Sequence, residues 1–226
     1  MTVLEIIWKL AIFNLMTKHQ LTNSKQIPIT KKPMSKQYQN SNDQNRKRLI
    51  LKPKAKVYID GANMFYTQKA LGWFVDFKKI KKHLEKSYDL LGMKYYTGIK
   101  KDDEKMKSFL KYLDKIGIEP ITKPLKKIKD KKEIIFKSNF DVEMTMDILL
   151  ERQSYDVCLL FSGDSDFYPL VKKLQNFGKK VVVYSTRRMI SWELKLAVDQ
   201  YVFLEDLKSE VKKTSARRRS RVKLKK

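Results

Sequence analysis

The chain has 226 residues, 42% of them hydrophobic, and a formal net charge of +25 at pH 7. That apolar share supports a folded core rather than a wholly disordered chain. Its single cysteine, Cys158, excludes an intramolecular disulfide, and two histidines cannot complete a structural zinc set, so a reducing, cytoplasmic setting fits.

The composition changes along the chain. Residues 1–53 carry a net charge of +8, residues 54–211 another +8, and the short stretch 212–226 carries +9 with no acidic residue. A field of this sign favours nucleic acid or an anionic surface as partner. Residues 2–16 have apolar positions at helical spacing and read as a short amphipathic helix suited to peripheral membrane or protein contact. The longest apolar run there, Leu10 to Phe13, is far too short to span a bilayer. Residues 17–53 are rich in Lys, Gln, Asn, Ser and Thr and read as a flexible linker. One domain is expected over 54–208, followed by a basic disordered tail over 209–226. The oligomeric state is open, a homodimer included.

Within the domain, strands and helices alternate. Ala55–Ile59 is a β-branched run ending at Asp60-Gly61, and a helix is expected over 76–88. Met93–Gly98 reads as the second strand, residues 102–116 as a helix stopped by Gly117, and Ile118–Ile121 as the third strand. Residues 123–132 read as a strongly basic loop, and Glu133–Lys137 as a short edge strand. A helix follows over 142–150. Asp156–Phe161 is a strand whose continuous apolar run implies burial on both faces. A helix over 167–177, a strand over 180–184, a helix over 191–198 and a last strand over 201–204 complete the order. Strands separated by helices of this length predict parallel βαβ units, hence an α/β fold around a parallel sheet.

Acidic residues collect at the joints of this pattern. Asp60 leaves the first strand, Asp164 and Asp166 leave the strand over 156–161, and between them Asp141 stands at the N-cap of the helix over 142–150 with Asp147 inside it. In an open parallel sheet, functional groups gather at the carboxyl ends of strands near the point where strand order reverses. Several carboxylates in one cleft repel one another unless a cation lies between them. A hard, oxygen-preferring ion such as Mg²⁺ or Mn²⁺ relieves that repulsion. Such an ion can activate a water and stabilise charge on a phosphodiester. Asn63 and Ser162 are placed to orient a water or phosphate. Lys123, Lys126, Lys127 and Lys129 are placed to hold a phosphate backbone without sequence choice, and Tyr66, Trp73 and Phe74 are candidates for stacking on bases. His19 and His83 lie outside these motifs.

Three motifs in this order resemble a known family. Asp60-Gly61-Ala62-Asn63, then Phe140-Asp141-Val142 with Asp147 six residues on, then Ser162-Gly163-Asp164-Ser165-Asp166-Phe167 are similar to the motif set of the NYN domain family, within the PIN-like and FLAP-like nucleases. Gly178-Lys179-Lys180-Val181, Ser191 to Leu194 and Ala197-Val198-Asp199 resemble its later elements, so the likeness covers about 55–207. It implies a three-layer, Rossmann-like PIN-like domain with a central parallel sheet, and RNA cleavage that depends on Mg²⁺ or Mn²⁺. Carried onto this sequence, it implies catalytic roles for Asp60, Asn63, Asp147, Asp164 and Asp166. The metal ligands would be Asp60, Asp147, Asp164 and Asp166, with Asp141 as the alternative helix carboxylate. The family's usual Lys-Gly-Val-Asp is replaced here by Lys137-Ser138-Asn139-Phe140-Asp141. Asp199 is expected to support the fold. A non-catalytic RNA-binding or protein-interaction module of the same fold is the alternative. A phosphatase is disfavoured, because its Asp-x-Asp pair ends the first strand, where this chain has Asp60-Gly61-Ala62.

Overall fold

The computed structural model describes residues 51–130 and 133–214, without the side chains of 127–137. The expected N-terminal helix, most of the linker and residues 215–226 of the basic tail lie outside these residues. Six strands form one parallel sheet: β1 (Lys54–Asp60), β2 (Asp89–Ile99), β3 (Glu119–Pro124), β6 (Val157–Phe161), β7 (Lys180–Ser185) and β8 (Gln200–Phe203). Their spatial order is β3-β2-β1-β6-β7-β8. The chain builds outward from β1 to β3 and then returns to the other side of β1, so the strand order reverses between β1 and β6. This is the α/β fold with a central parallel sheet that the alternation predicts.

The pleat sends successive side chains to opposite faces, and each face has its own apolar layer. Val57, Ile59, Tyr95, Leu159 and Phe161 pack with Met64 of α1 (Gly61–Leu71), Phe77, Ile80 and Leu84 of α2 (Phe77–Leu84), and Leu113 of α3 (Glu104–Lys115). Tyr58, Tyr96, Cys158, Leu160 and Val183 pack on the other face. Their partners are Met144 and Ile148 of α4 (Asp141–Leu150), Leu170 and Leu174 of α5 (Tyr168–Asn176), and Leu194 of α6 (Trp192–Ala197). Every residue of β6 is buried, as its unbroken apolar run implies.

Three local features differ from the sequence reading. Helix α1 fills residues 61–71, a segment to which the strand-and-helix pattern assigns no element. Its exposed Phe65 and Tyr66 and its buried Thr67 break the apolar stripe that marks an amphipathic helix. The expected basic loop is largely β-structure, because β3 runs on to Pro124 and β4 (Lys126–Asp130) follows. β4 pairs antiparallel with β5 (Glu133–Lys137), from Lys126 opposite Lys137 to Asp130 opposite Glu133. Residues 133–137 are thus a strand, but of a separate hairpin rather than the edge of the main sheet. Main-chain pairing needs only a partner of matching length, which a charge-based reading of these lysines overlooks. The fold also continues past residue 208: α7 (Lys208–Val211) buries Val211, and the amide of Asp76 donates to the Val211 carbonyl at 2.8 Å. Among the described residues, no helix is long and apolar enough to cross a membrane.

Candidate metal centre

Strand β1 alternates Lys56, Tyr58 and Asp60 on the α4 side with Val57 and Ile59 on the other. Asp60 ends the strand and caps α1, its Oδ1 accepting from the amide of Asn63 at 3.0 Å. Its Oδ2 accepts from the hydroxyl of buried Ser162 at 3.3 Å. Asn63 Oδ1 in turn accepts from the amide of Gly163 at 3.2 Å. The ends of the two neighbouring strands are therefore stitched together at the switch point. Two glycines allow this closeness. A Cβ on Gly61 would lie 2.5 Å from the Tyr96 carbonyl oxygen, and one on Gly163 would collide with the Met189 carbonyl.

Beyond Gly163, the amide of Asp164 donates to Ser162 Oγ at 3.3 Å. Asp164 Oδ1 accepts from the amide of Asp166 at 3.1 Å, capping a single 3₁₀ turn over Ser165–Phe167. Asp166 caps nothing: α5 begins after Phe167 without a side-chain cap, and its carboxylate is exposed. On the facing side, Asp141 opens α4, its amide donating to Asn139 Oδ1 at 2.7 Å. Asp141, Asp164 and Asp166 each present a carboxylate oxygen within 4.8 Å of the others.

Electrostatics draws Asp60 into the same group. Burial pushes its carboxyl above the usual range, and the charge of Asp141 pushes it further, against the hydrogen bonds from Asn63 and Ser162. Asp141 is raised by burial first and then by Asp164, Asp166 and Glu143, with Asn139 opposing. Carboxylates that raise one another's proton affinity gain most from a shared cation. The donors are all oxygen, which suits a hard ion such as Mg²⁺ or Mn²⁺ and fits thiophilic metals poorly.

Asp147, expected as the helix carboxylate of this centre, is placed elsewhere. Its Oδ2 accepts from Lys94 Nζ at 2.9 Å and from the Tyr96 hydroxyl at 2.8 Å. Six residues is not a whole number of helical turns, so Asp147 cannot share the face of Asp141; it turns down onto β2. There it joins a network around Glu151, which accepts from Lys94 at 2.6 Å, the Tyr58 hydroxyl at 2.8 Å and Lys56 at 3.1 Å. Burial works against the charge of Glu151, yet Lys94, Tyr58 and Lys56 hold its carboxyl below the usual range. This network pins α4 to the sheet, and Asp141 is the helix residue that reaches the centre.

The lysines divide as well. Lys123 Nζ reaches Glu143 at 2.5 Å, donates to the Asn139 carbonyl and lies 4.4 Å from the centre of the Phe140 ring. It ties down the first turn of α4 and so positions Asp141, rather than standing free for a phosphate. Lys126 is exposed, and the side chains of Lys127 and Lys129 lie outside the described residues. Tyr66 and Phe74 are exposed, whereas Trp73 is buried in the core. Asp199 accepts from the amide of Val181 at 2.9 Å and supports the start of β7. His83 pairs with Glu210 at 3.0 Å, and His19 lies outside the described residues. Sequence reasoning missed the network around Glu151. Its signal was present in the polar residues Lys56, Tyr58, Lys94 and Tyr96, which alternate within otherwise apolar strands.

A three-layer domain with a six-stranded parallel sheet and a carboxylate cluster at its switch point has the architecture of the PIN-like class. The comparisons agree: residues 54–205 match the NYN domain. The low amplitude and bright protein LabA of Synechococcus elongatus is 34% identical over 163 residues, covering 70% of this chain and 87% of that protein. A Vibrio parahaemolyticus protein of unknown function superposes with a TM-score of 0.63 at 26% identity, covering 74% of this chain and 99% of that one. The chain belongs to the NYN domain family, and its fold is nuclease-like.

Proposed function

We infer that this domain is a metal-dependent ribonuclease of the cytoplasm, hydrolysing RNA phosphodiester bonds with Mg²⁺ or Mn²⁺. The observation that carries the reading is the convergence of Asp141, Asp164 and Asp166 within 4.8 Å at the switch point, with Asp60 behind them. Asp141, Asp164 and Asp166 would hold the ion, and Asp60 would add charge from the inner side. A bound divalent ion supplies charge stabilisation at the phosphate and a water of lowered pKa. The chain's own groups prepare the place. Asn63 and Ser162 fix Asp60 against the β6 loop, so the carboxylates need little rearrangement when an ion arrives. Ser162 acts as a positioning residue, since its hydroxyl donates to Asp60 and accepts from the amide of Asp164. Lys126 and the basic ends of the chain draw in the phosphate backbone.

The test is incubation of the purified protein with single-stranded and structured RNA, with Mg²⁺ or Mn²⁺ and with chelator. Cleavage is expected only with the ion, and Asp164→Asn is expected to lower the rate by at least about a hundredfold, the scale of losing one preorganised charge contact. Chelator-resistant cleavage, or an Asp164→Asn variant as fast as the parent, overturns the mechanism. RNA retention without any cleavage would instead mark a binding module.

A further inference from the structure

Beside the carboxylate cluster lies a cavity of about 340 Å³ bounded by Ser165, Asp166, Tyr168, Pro169 and Glu193. Its volume falls at the lower end of the ~300–1,000 Å³ found for small-molecule sites. Asp166 belongs to both places, as one of the three clustered carboxylates and as one of the residues bounding the cavity. The far wall is held in register with the cluster, because the amide of Ser191 donates to the Gly163 carbonyl at 2.8 Å. Ser191 also caps α6, accepting from the amide of Leu194 at 3.2 Å, which fixes the turn that carries Glu193.

The chemistry of the walls is one-sided. Tyr168 and Pro169 offer apolar surface, and the Tyr168 ring is exposed, with Lys172 Nζ 5.8 Å from its centre. The polar residues bounding it are Asp166, Glu193 and Ser165, and among the described residues no Lys or Arg lines the cavity. Glu193 is half-buried and makes no hydrogen bond or ion pair among the described residues. Such a cavity repels a phosphate and accepts a flat, neutral group that donates hydrogen bonds. Carboxylates accept from the exocyclic amino groups of adenine, cytosine and guanine, whereas uracil offers only its ring N3–H, flanked by two carbonyls that a carboxylate repels.

We propose that this cavity receives one unpaired nucleobase bearing an exocyclic amino group, next to the phosphate held at the carboxylate cluster, with Glu193 as the residue that selects it. The proposal rests on the nuclease reading and narrows it: the substrate is single-stranded, since pairing occupies the edge that Glu193 reads. Adenine, cytosine or guanine is preferred to uracil at that position. Tyr168 supplies sequence-tolerant stacking, and Glu193 supplies the discrimination.

The experiment uses single-stranded oligouridine strands carrying one internal A, C or G, with Mn²⁺, and maps the cut sites for the parent and E193Q. Cutting is expected to concentrate beside the inserted base by about tenfold over all-uridine RNA, the scale of one good base contact. In E193Q, the preference is expected to drop below about threefold. Fluorescence anisotropy with Ca²⁺ replacing Mn²⁺ reads binding of the same strands without cleavage. Equal cutting and equal binding of all strands by the parent, or full preference retained by E193Q, overturns the proposal. If no strand is cut, the nuclease reading fails and binding alone decides: tighter binding of inserted strands, lost in E193Q, upholds the cavity assignment, and equal binding overturns it. Y168A, which removes the stacking wall, is expected to weaken binding of every strand, and unchanged affinity there also counts against the site.

Discussion

Replacing Asp147 and Asp141 separately by alanine gives opposite outcomes, and the structure fixes the sign of each. Asp147→Ala removes two charge-assisted hydrogen bonds, from Lys94 at 2.9 Å and from Tyr96 at 2.8 Å. Each such bond contributes ~1.5–3 kcal/mol net when well shielded. The Asp147 side chain is 32% exposed, and Lys94 keeps Glu151 at 2.6 Å, so the lower end applies. The total is about 2–3 kcal/mol, or a fall in Tm of roughly 5–10 °C for a domain of this size. Asp141→Ala instead removes a carboxylate that faces the charges of Asp164 and Asp166, so the metal-free protein keeps its stability or gains slightly. Thermal unfolding followed by circular dichroism, with chelator and then with Mn²⁺, separates the two. At a free ion concentration of ~100 Kd, binding adds about 2.7 kcal/mol. Parent and Asp147→Ala are expected to show this rise, and Asp141→Ala to lose most of it. An Asp147→Ala protein with normal metal-free stability and no response to Mn²⁺ would refute the assignment.

Asp60→Asn keeps the helix cap and removes the buried charge. Because burial, and then Asp141, raise the Asp60 carboxyl, the parent's stability should increase as pH falls through that raised value and level off below the ordinary 3.8. The variant is expected to be more stable at pH 7 in chelator and to lack this part of the pH slope, as urea midpoints between pH 7 and 4 will show. Gly163→Ala drives a methyl group into the Met189 carbonyl and to within 2.7 Å of Ser185 Oγ. A loss of about 1–3 kcal/mol is expected, with reduced Mn²⁺ affinity by calorimetry. Lys123→Ala frees Glu143 and the first turn of α4, so Mn²⁺ affinity should fall several-fold; Lys126→Ala, which leaves that turn tied, should leave it unchanged.

Much of this fold is legible in the residues because its strands are short, apolar and bounded by glycine or aspartate. Val57–Ile59 and Cys158–Phe161 belong to apolar runs too short for a helix and stopped by Asp60-Gly61 and Ser162-Gly163, and the helices from 104 to 115 and 168 to 176 show clear stripes. Asp60, Asp164 and Asp166 were legible because strand ends in a parallel sheet leave little choice of direction. The choice between Asp141 and Asp147 was not, since it turns on where α4 starts and on which residues of β2 lie beneath it. Lys94 and Tyr96 are 53 and 51 residues from Asp147, and no local pattern couples them. Helix α1 was hidden for a related reason: with Phe65 and Tyr66 outside and Thr67 inside, its residues show no apolar stripe until the sheet shows which side is buried.

The double engagement of Asp60 bears on how such a domain changes over evolutionary time. Asp60 caps a helix and braces a neighbouring strand, so a side chain that cannot accept those hydrogen bonds disturbs folding whether or not any reaction is catalysed. Asp166 caps nothing and stands in solvent. A lineage that abandoned its chemistry would therefore shed Asp166 early and keep Asp60, Asn63 and Ser162 for architectural reasons. In a related sequence, an intact Asp-Gly-x-Asn reports the fold. The second aspartate of Ser-Gly-Asp-Ser-Asp is the better witness to a working centre.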